Sequence, residues 1–367
     1  MGKTIRERFH DIMHYKGAGS GGLIWQLEGI SDAARLKWEQ DGEIPTGANI
    51  GSYLPFDSGR VTLGFGQMPP NPLFDETILE QNGDIITGID TYGNTRVWDR
   101  TKTTTPVSYT YIDGPITTRA DFKAFAKRFD PTDTSRVPKH WDDSYFAALN
   151  KRETPVSLET ALGPGRGAKN YYSFGFDSYM DILAEDEAFV EEVLEFWLYF
   201  LMKFLDNFID KVDIDYFILM EDGMAYKTSV LISPEQFKRL NGKYMKKLAA
   251  YLNKKGIDIL CYYTSGNIEP YIPVLLDAGF NALAPMEVAA GMDAYAMRQK
   301  YGKDLRMMGN ISDRALARGI KAVDEEIMPK LTKMWEEGGY IPAPDDMIMP
   351  DTSLKTLQHL IQRVKAI

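Results

Sequence analysis

The second half of the chain repeats one pattern: a short apolar run, a polar residue where the run ends, and a stretch with helical periodicity. The apolar runs are Tyr216–Met220, Ile257–Tyr262, Phe280–Met286, Leu305–Met308 and Tyr340–Pro344. Continuous apolar runs that alternate with helices are typical of buried parallel strands. The pattern therefore predicts a single (β/α)8 barrel of TIM type, an α/β fold in which the carboxyl ends of the strands meet on one face.

The first half of the chain is less regular and predicts an insertion into the barrel. Residues 61–115 are rich in Gly, Pro, Thr and Asn, with apolar and polar positions that alternate as in antiparallel strands. We therefore expect one domain over residues 1–367, with 61–115 as a β-rich insertion packed on the barrel. The other predicted elements are helices at 4–16, Asp32–Gln40, Asp121–Phe129, Asp142–Lys151 and Glu185–Lys211, and strands at Leu23–Leu27 and Thr154–Ala161.

The composition limits the classes of partner and compartment. The formal net charge is −10, which disfavours a nucleic-acid surface. The single cysteine, Cys261, excludes an intramolecular disulfide and fits a reducing cytoplasm. The first residues lack the apolar core of a signal peptide, and the most hydrophobic stretch, Trp197–Leu205, is too short to span a bilayer. We expect a cytoplasmic protein without a membrane segment.

Several short motifs match known patterns only formally. Gly17–Gly22 fits GxGxxG, but a helix precedes it and a strand follows it, the reverse of a dinucleotide site. His10 and His14 have chelating spacing but no nearby third ligand. Gly163–Gly167 is either a flexible turn or a mobile loop over the pocket, in which Arg166 would meet an acidic group of the substrate.

Polar side chains at the predicted strand ends are the candidates for chemistry. We expect catalytic roles for Glu221, Asp222, Tyr263 and Asp345, and substrate contacts from Asn267, Glu287, Asn310 and Asp346. Carboxylates crowded in an apolar barrel mouth repel one another and lose solvation, which raises the pKa of some of them. Such an acid can protonate a leaving group that a Tyr or Asn orients. The alternative for each residue is a helix cap or a supporting contact.

Aromatic residues of the first half are candidates for the pocket wall. Trp25 and Phe56 would suit an aromatic or planar substrate, and core packing is the alternative for both.

Segments at these strand ends resemble the uroporphyrinogen decarboxylase superfamily. They are EDGMAYKTSVLISPEQF (221–237), SGNIEPYIPVLLDAGFNALAPMEVAAGMD (265–293), RMMGNIS (306–312) and GGYIPAPDD (338–346). The likeness covers about residues 150–365 and is more specifically to the branch that contains corrinoid-dependent methyltransferases. It implies a single (β/α)8 barrel and two activities, porphyrinogen decarboxylation and methyl transfer.

Of the two activities, porphyrinogen decarboxylation has less support in the sequence. Members with that activity carry paired Arg residues and an Asp after a Phe-Ser pair in the N-terminal region. Here Asp57 follows Pro55-Phe56, and no Arg pair accompanies it. A chain of net charge −10 would also repel an anionic tetrapyrrole.

The usual zinc ligands of methyltransferases in this superfamily are replaced in this chain. Methyltransferases of this superfamily that act on thiols bind zinc through His-x-Cys at positions 263–265 and a Cys near 345. This chain has Tyr263, Ser265 and Asp345 there. Relatives that demethylate methoxylated aromatics include carboxylates among their metal ligands. An oxygen-only metal site built from Glu221, Asp222, Glu287 and Asp345 is one alternative, and no metal is the other.

The resemblance therefore favours O-demethylation in anaerobic metabolism. A methyl group would move from a small methyl donor, a methoxylated aromatic, to the cobalt of a corrinoid (cobalamin) on a partner protein. The leaving oxygen needs a proton or a Lewis acid, which Glu221 or Asp345 would supply with help from Tyr263. A lyase without cofactor and a non-catalytic barrel that binds a ligand or corrinoid are the alternatives. We expect no nucleic-acid or membrane partner, and a homodimer stays open.

Overall fold

The computed structural model describes residues 2–17, 22–57, 61–64, 68–102, 109–162, 173–221 and 223–367. Its strands are β1 Val61–Gly64, β2 Thr77–Asn82, β3 Ile85–Ile89, β4 Thr95–Asp99, β5 Tyr109–Asp113, β6 Val156–Thr160, β7 Tyr216–Met220, β8 Leu260–Thr264, β9 Ala282–Pro285, β10 Arg306–Ile311 and β11 Tyr340–Pro344. Its α-helices are α1 Ile5–Met13, α2 Asp32–Gln40, α3 Arg119–Ala126, α4 Asp143–Asn150, α5 Phe176–Glu185, α6 Glu187–Leu205, α7 Pro234–Phe237, α8 Lys243–Lys254, α9 Ile272–Ala278, α10 Ala294–Tyr301, α11 Asp313–Ala317, α12 Ile320–Ala322, α13 Met328–Glu337 and α14 Leu354–Lys365. None of these helices has both the length and the apolar character that crossing a membrane requires.

A curved parallel sheet of seven strands forms the centre of the molecule, in the order β1-β6-β7-β8-β9-β10-β11. Every neighbouring pair is parallel, as the continuous apolar runs predict. Alternate residues of each strand enter two separate cores. On β7, Tyr216 and Ile218 pack on the inner face, whereas Phe217 and Leu219 join the larger core beneath the helices.

The prediction of a strand at Leu23–Leu27 is wrong, because these residues form no strand. The Trp25 N–H donates to the Pro342 carbonyl of β11 at 2.9 Å. The neighbouring Ile24 N–H donates instead to the Asp57 carboxylate at 3.1 Å, and the Asp57 N–H returns to the Ile24 carbonyl at 2.8 Å. The Asp57 side chain thus accepts the Ile24 N–H, which would otherwise bond to a neighbouring strand. As a result, the described residues do not close the sheet into a barrel.

Helix α1 covers the amino-terminal end of the inner face. A capping box between Thr4 and Glu7 starts it, as expected for the amphipathic pattern at 4–16. Its Phe9, Ile12 and Met13 are buried against the inner residues of the strands. The opposite, carboxyl-terminal end of the inner face is therefore the end where a substrate can enter.

The antiparallel sheet is smaller than the predicted insertion at 61–115. It contains β2-β3-β4-β5 in that order and spans residues 77–113. Val61–Gly64, expected within it, instead pairs in parallel with β6. The reason lies in its apolar positions, because Leu63 is buried in the core beneath the helices.

Candidate active site

The inner face of the parallel sheet divides into a filled half and an open half. Small and apolar residues of β9, β10 and β11 fill one half and are buried: Ala282, Ala284, Met308, Ile341 and Ala343. On the other side, Thr62 and Gly64 of β1 are exposed. Glu159, Met220 and Tyr263 are half-buried beside them. We call Thr62, Gly64, Glu159, Met220 and Tyr263 the open half.

The register places Glu159 on this inner face. Partners in a parallel pair point to the same side of the sheet, and Glu159 pairs with Gly64 on β1 and with Ile218 on β7. The carboxylate accepts hydrogen bonds from the Ser157 hydroxyl at 2.7 Å and the Thr62 hydroxyl at 3.2 Å. Sequence reasoning missed Glu159 because it lies inside a strand. The polar alternation of Ser157 and Glu159 in β6 was the available signal.

A hydrogen bond crosses the entrance of the inner face. The Tyr263 hydroxyl donates to the Glu28 carboxylate. Tyr263 lies on β8, the central strand of the seven, whereas Glu28 follows the segment beside the edge strand β11. Glu28 was absent from the predicted site, although the rule applied to the other runs would have found it at the end of Leu23–Leu27. The pair brings a phenol and a carboxylate to the face where parallel barrels build active sites.

Asp345 is buried and bonded to two peptide groups. Its side chain accepts the Val288 N–H at 2.7 Å and the Asp313 N–H at 2.9 Å. Burial raises the pKa of Asp345 to about 6, because it outweighs the two N–H groups that lower it. Asp345 thereby ties together the segments that follow β9, β10 and β11.

Glu221 lies on the other side of the sheet from Tyr263. It continues the alternation of Phe217 and Leu219, which face the helices. Its carboxylate is buried beside Tyr179 and Tyr271. Burial, together with the Glu221 charge, raises the pKa of both phenols, that of Tyr271 to about 12.

Two further predicted site residues lie outside the described part of the chain. They are Asp222, next to Glu221, and Arg166 of the glycine-rich loop. Their predicted roles therefore stay predictions.

Asn310 organises two loops at the carboxyl ends of the strands. Its side-chain oxygen accepts the Ala294 N–H at 2.8 Å. Its amide nitrogen donates to the carbonyls of Met286 and Met292 at 2.7 and 2.8 Å. All three bonds hold backbone, so the structure gives Asn310 a supporting role, and substrate contact stays a prediction.

The remaining polar candidates also contact backbone. Asn267 donates to the Ala290 carbonyl at 3.0 Å, and Glu287 accepts the Gly266 N–H at 3.0 Å. Asp346 is exposed and accepts the N–H of the following residue. These contacts shape the loops around the entrance, and substrate contact by the three stays a prediction.

The two aromatic candidates are buried in the cores. Trp25 stacks on Phe9 with ring centroids 5.5 Å apart, and its ring lies 5.8 Å from that of Tyr216. Phe56 belongs to the core beneath the helices. Packing, the alternative stated for both, is what the structure shows, and neither forms part of the open half.

The described residues do not fit a metal site. Among them, no three His, Cys, Asp or Glu side chains are grouped to hold an ion. Three predicted ligands are separated or engaged: Glu221 faces the helices, Glu287 accepts a peptide N–H, and both oxygens of Asp345 do the same.

Comparisons with known proteins locate the fold. The family model described as Uroporphyrinogen decarboxylase (URO-D) matches residues 152–367. No curated protein matches the chain. A methyltransferase from Methanosarcina mazei is similar in structure over 99% of this chain and 98% of its own, with a TM-score of 0.59 and 15% identity, which shows a shared fold.

Two glycoside hydrolase structures are less similar. A GH18 chitinase from Flavobacterium johnsoniae matches 60% of this chain and 78% of its own, with 9% identity and a TM-score of 0.34. A GH26 β-mannanase from Bacteroides ovatus matches 60% and 71%, with 13% identity and the same TM-score of 0.34. Structural similarity at that level indicates neither the family nor the function of this chain.

Proposed function

Within the uroporphyrinogen decarboxylase family, to which the chain belongs, we propose that it acts as a methyltransferase. It would move a methyl group from a small methoxylated aromatic to the cobalt of a corrinoid on a partner protein. The observation that carries the proposal is the Tyr263–Glu28 pair, which can supply a proton to a leaving oxygen at the carboxyl ends of the strands. The shared fold with a methyltransferase supports the same reaction class.

When the methyl–oxygen bond breaks, its electron pair stays on the oxygen. The negative charge that develops there must be neutralised by a proton. The corrinoid supplies a nucleophilic metal centre that accepts the methyl group. Tyr263 donates its proton to the leaving oxygen, and Glu28 in its acid form replaces that proton on Tyr263. One proton is thus transferred from Glu28 to the substrate, and the pair ends as phenol and carboxylate, the arrangement in which Tyr263 donates to Glu28.

This assignment differs from the acids favoured by the sequence. Asp345, with a pKa of about 6, exists partly as the acid near neutral pH, but both its oxygens accept peptide N–H groups. Glu221 lies beside Tyr271, on the side of the sheet that faces the helices. In the proposal Asp345 holds the loops in place and Glu221 supports the end of β7.

The inner face favours methyl transfer over porphyrinogen decarboxylation. Glu159 places a carboxylate on the inner face, and none of the five residues that form the open half is a Lys or Arg. A tetrapyrrole that carries several carboxylates would be repelled there. An uncharged methoxylated aromatic would not be.

The open half suits a methyl acceptor that arrives on another protein. Thr62 and Gly64 are exposed, so the inner face is accessible from solvent at β1. The filled half, by contrast, leaves no room beside β10 and β11, where Met308 and Ile341 are buried. We therefore expect the acceptor to approach over β1 and β6.

The test is an anaerobic assay of the purified chain with cob(I)alamin as acceptor and a panel of methoxylated aromatics and methylamines. The visible spectrum of the corrinoid reports methyl transfer. Transfer from an aromatic ether supports the proposal, whereas transfer from a methylamine alone would keep the reaction class and replace the donor. Absence of transfer from every donor, also with corrinoid proteins as acceptors, would overturn the proposal in favour of a lyase or a binding protein.

A further inference from the structure

Glu159 is a carboxylate of the open half that the proposed proton transfer does not use. It lies within β6, although glutamate is uncommon inside strands, and it is half-buried. The register places it in one row with Ile218 of β7 and Cys261 of β8, which are both buried in the inner core. A carboxylate at such a position loses part of its hydration, which hydrogen-bond donors must replace.

Two hydroxyl groups of the inner face hold the Glu159 carboxylate in place. The Ser157 hydroxyl donates to Oε1 at 2.7 Å, and the Thr62 hydroxyl donates to the same oxygen at 3.2 Å. Ser157 itself is fully buried. An ionised carboxylate has about four acceptor positions, so two bonds to one oxygen fix its orientation without exhausting its acceptor capacity. Glu159 can therefore also accept a hydrogen bond from a ligand.

Glu159 lies deeper in the inner face than Tyr263. Tyr263 follows Cys261 by two residues, so it is one inner position nearer to the carboxyl ends of the strands. Only β7 separates β6 from β8. With strands about 4.8 Å apart and a rise of about 3.3 Å per residue, the Cα atoms of Glu159 and Tyr263 are about 12 Å apart. Because the sheet curves around this face and both side chains project from it, one small aromatic ring can contact both.

The charge and the proton donor of this face together define a class of ligand. A carboxylate binds hydroxyl or ammonium groups and repels other carboxylates. The Tyr263–Glu28 pair distinguishes the first two. When a methyl group leaves an ammonium nitrogen, the product is a neutral amine that needs no proton, whereas an ether oxygen needs the proton that Tyr263 can supply. The two features fit a neutral aromatic ether that also carries a hydroxyl group.

We propose that Glu159 determines the specificity for the methoxylated substrate by accepting a hydrogen bond from a hydroxyl group on its aromatic ring. The hydroxyl group then lies at the deeper position, and the methoxy oxygen lies nearer to the entrance, within reach of the Tyr263 hydroxyl. Glu159 positions the substrate and takes no part in the proton transfer. The inference rests on the proposed function for the reaction, but recognition of the hydroxyl group can be measured by binding alone.

Titration calorimetry of the full chain with 2-, 3- and 4-methoxyphenol and with methoxybenzene tests this recognition. The four probes share the ring and the methoxy group, and methoxybenzene alone lacks the hydroxyl group. At least one methoxyphenol should bind about tenfold or more tightly than methoxybenzene, because it adds a hydrogen bond to a charged group. The isomer that binds best gives the position of the hydroxyl group. Equal affinities for all four probes would overturn the proposal.

Two variants separate recognition from packing. Glu159→Met removes the acceptor at similar volume and should abolish the preference for the hydroxyl group. Glu159→Gln keeps a neutral acceptor and should show an intermediate preference. Glu80→Met, at an exposed glutamate of β2, is the matched control and should keep the full preference. If Glu159→Met keeps the preference, or weakens the binding of methoxyphenol and methoxybenzene equally, the carboxylate does not recognise the hydroxyl group.

Tetramethylammonium, a cation without a hydroxyl group, tests the other kind of ligand that a carboxylate can hold. The proposal expects its affinity to be the same in wild type and in Glu80→Met, and lower than that of the preferred methoxyphenol. If tetramethylammonium binds more tightly than every methoxyphenol and Glu159→Met removes this binding, Glu159 recognises a cationic substrate and the proposal is wrong.

The outcomes also separate this inference from the proposed function. If the hydroxyl preference depends on Glu159 while no substrate is demethylated, the recognition stands and methyl transfer is wrong. If methoxybenzene is demethylated with the same kcat/KM as the methoxyphenols, methyl transfer stands and Glu159 does not select the substrate.

Discussion

Tyr263 lies on the central strand of the sheet and Glu28 outside the sheet, and a single hydroxyl group joins them. The phenol ring of Tyr263 packs against the inner core, so its position does not depend on the hydrogen bond alone. Removal of the hydroxyl therefore separates its chemical role from its packing role.

We predict that Tyr263→Phe lowers the rate of methyl transfer about 100-fold or more, because general acid catalysis contributes roughly 10²–10⁴ in rate. The free energy of unfolding should fall by only about 1 kcal/mol, the usual contribution of one hydrogen bond. Single-turnover transfer and urea denaturation measure the two effects. Tyr226→Phe, at an exposed tyrosine of the loop after β7, is the matched control. A Tyr263→Phe rate within twofold of wild type would remove the hydroxyl from the mechanism.

Asp345 makes a prediction about pH. Its pKa in the folded chain is about 6, above the value of about 3.9 for an unfolded aspartate. The folded state therefore binds the proton more tightly. The resulting stability is complete below about pH 4 and is lost as pH rises through 6, a change of about 3 kcal/mol at 1.36 kcal/mol per pKa unit.

Asp345→Asn removes this titration. Between pH 4 and pH 7, the free energy of unfolding of the variant should rise by about 2 kcal/mol relative to wild type. Urea denaturation at pH 4, 5, 6 and 7 gives the difference, and Asp346→Asn at the exposed neighbouring carboxylate is the control. A difference that stays constant with pH would contradict the raised pKa.

At the site, the sequence identified strand ends but not the direction of their side chains. In β7 both alternating sets are apolar, Tyr216 and Ile218 on one side and Phe217 and Leu219 on the other. A strand that is buried on both faces has no alternation of apolar and polar residues. Its sequence therefore does not show which side chains point to the inner face of the sheet. Glu221 was therefore expected at the entrance although it faces the helices.

Among the elements, helix α1 is attached to the sheet by its apolar side chains and by one buried carboxylate, Asp215. Burial by itself would raise the pKa of Asp215. Hydrogen bonds from His10, the Val156 N–H and Arg6, together with the charge of Arg152, outweigh burial and lower this pKa to about 2. The Arg152 and Arg6 contacts measure 2.6 and 2.8 Å. Asp215 thus connects α1 with the starts of β6 and β7.

Asp215→Asn should lower the free energy of unfolding at pH 7 by about 3 kcal/mol, since a depressed folded pKa stabilises the protein above the unfolded value of about 3.9. This contribution is lost as pH falls toward 2. Asp258→Asn is the control, because Asp258 meets His14, the residue directly after the same helix, at 2.9 Å but is 59% exposed. Denaturation of both variants measures the effect, and methyl transfer per folded molecule should not change. Equal losses in the two variants would contradict a special role for Asp215.

The elements were predictable where local pattern alone decides them. Tyr216–Met220 and Tyr340–Pro344 have the predicted bounds, and Asp32–Gln40 is the predicted helix. Leu23–Leu27 failed because its partner is the side chain of Asp57, about thirty residues away. No local pattern contains that contact.

For the molecule as a whole, the two sheets differ in how well their backbone is protected. All six residues of β2 are exposed, whereas every residue of β11 is buried. Local opening is easiest where few apolar contacts are lost. We predict that amide hydrogens of 77–99 exchange at least tenfold faster than those of 306–344, measured by mass spectrometry of peptides. Equal protection would mean that the antiparallel sheet opens only with the whole domain.

The segment at residues 22–28 gives the entrance of the inner face two kinds of wall. From β1 to β11 the spacing is set by continuous ladders between strands. Beside β11, the segment is attached through the Trp25 N–H, the packing of α1 and the Tyr263–Glu28 bond. A substrate oxygen that accepts the hydrogen bond of the Tyr263 hydroxyl diverts this hydroxyl from Glu28 and removes one of these attachments. The width of this entrance can then adjust on the side of residues 22–28 to donors of different size, while the side formed by the strand ladders keeps its spacing.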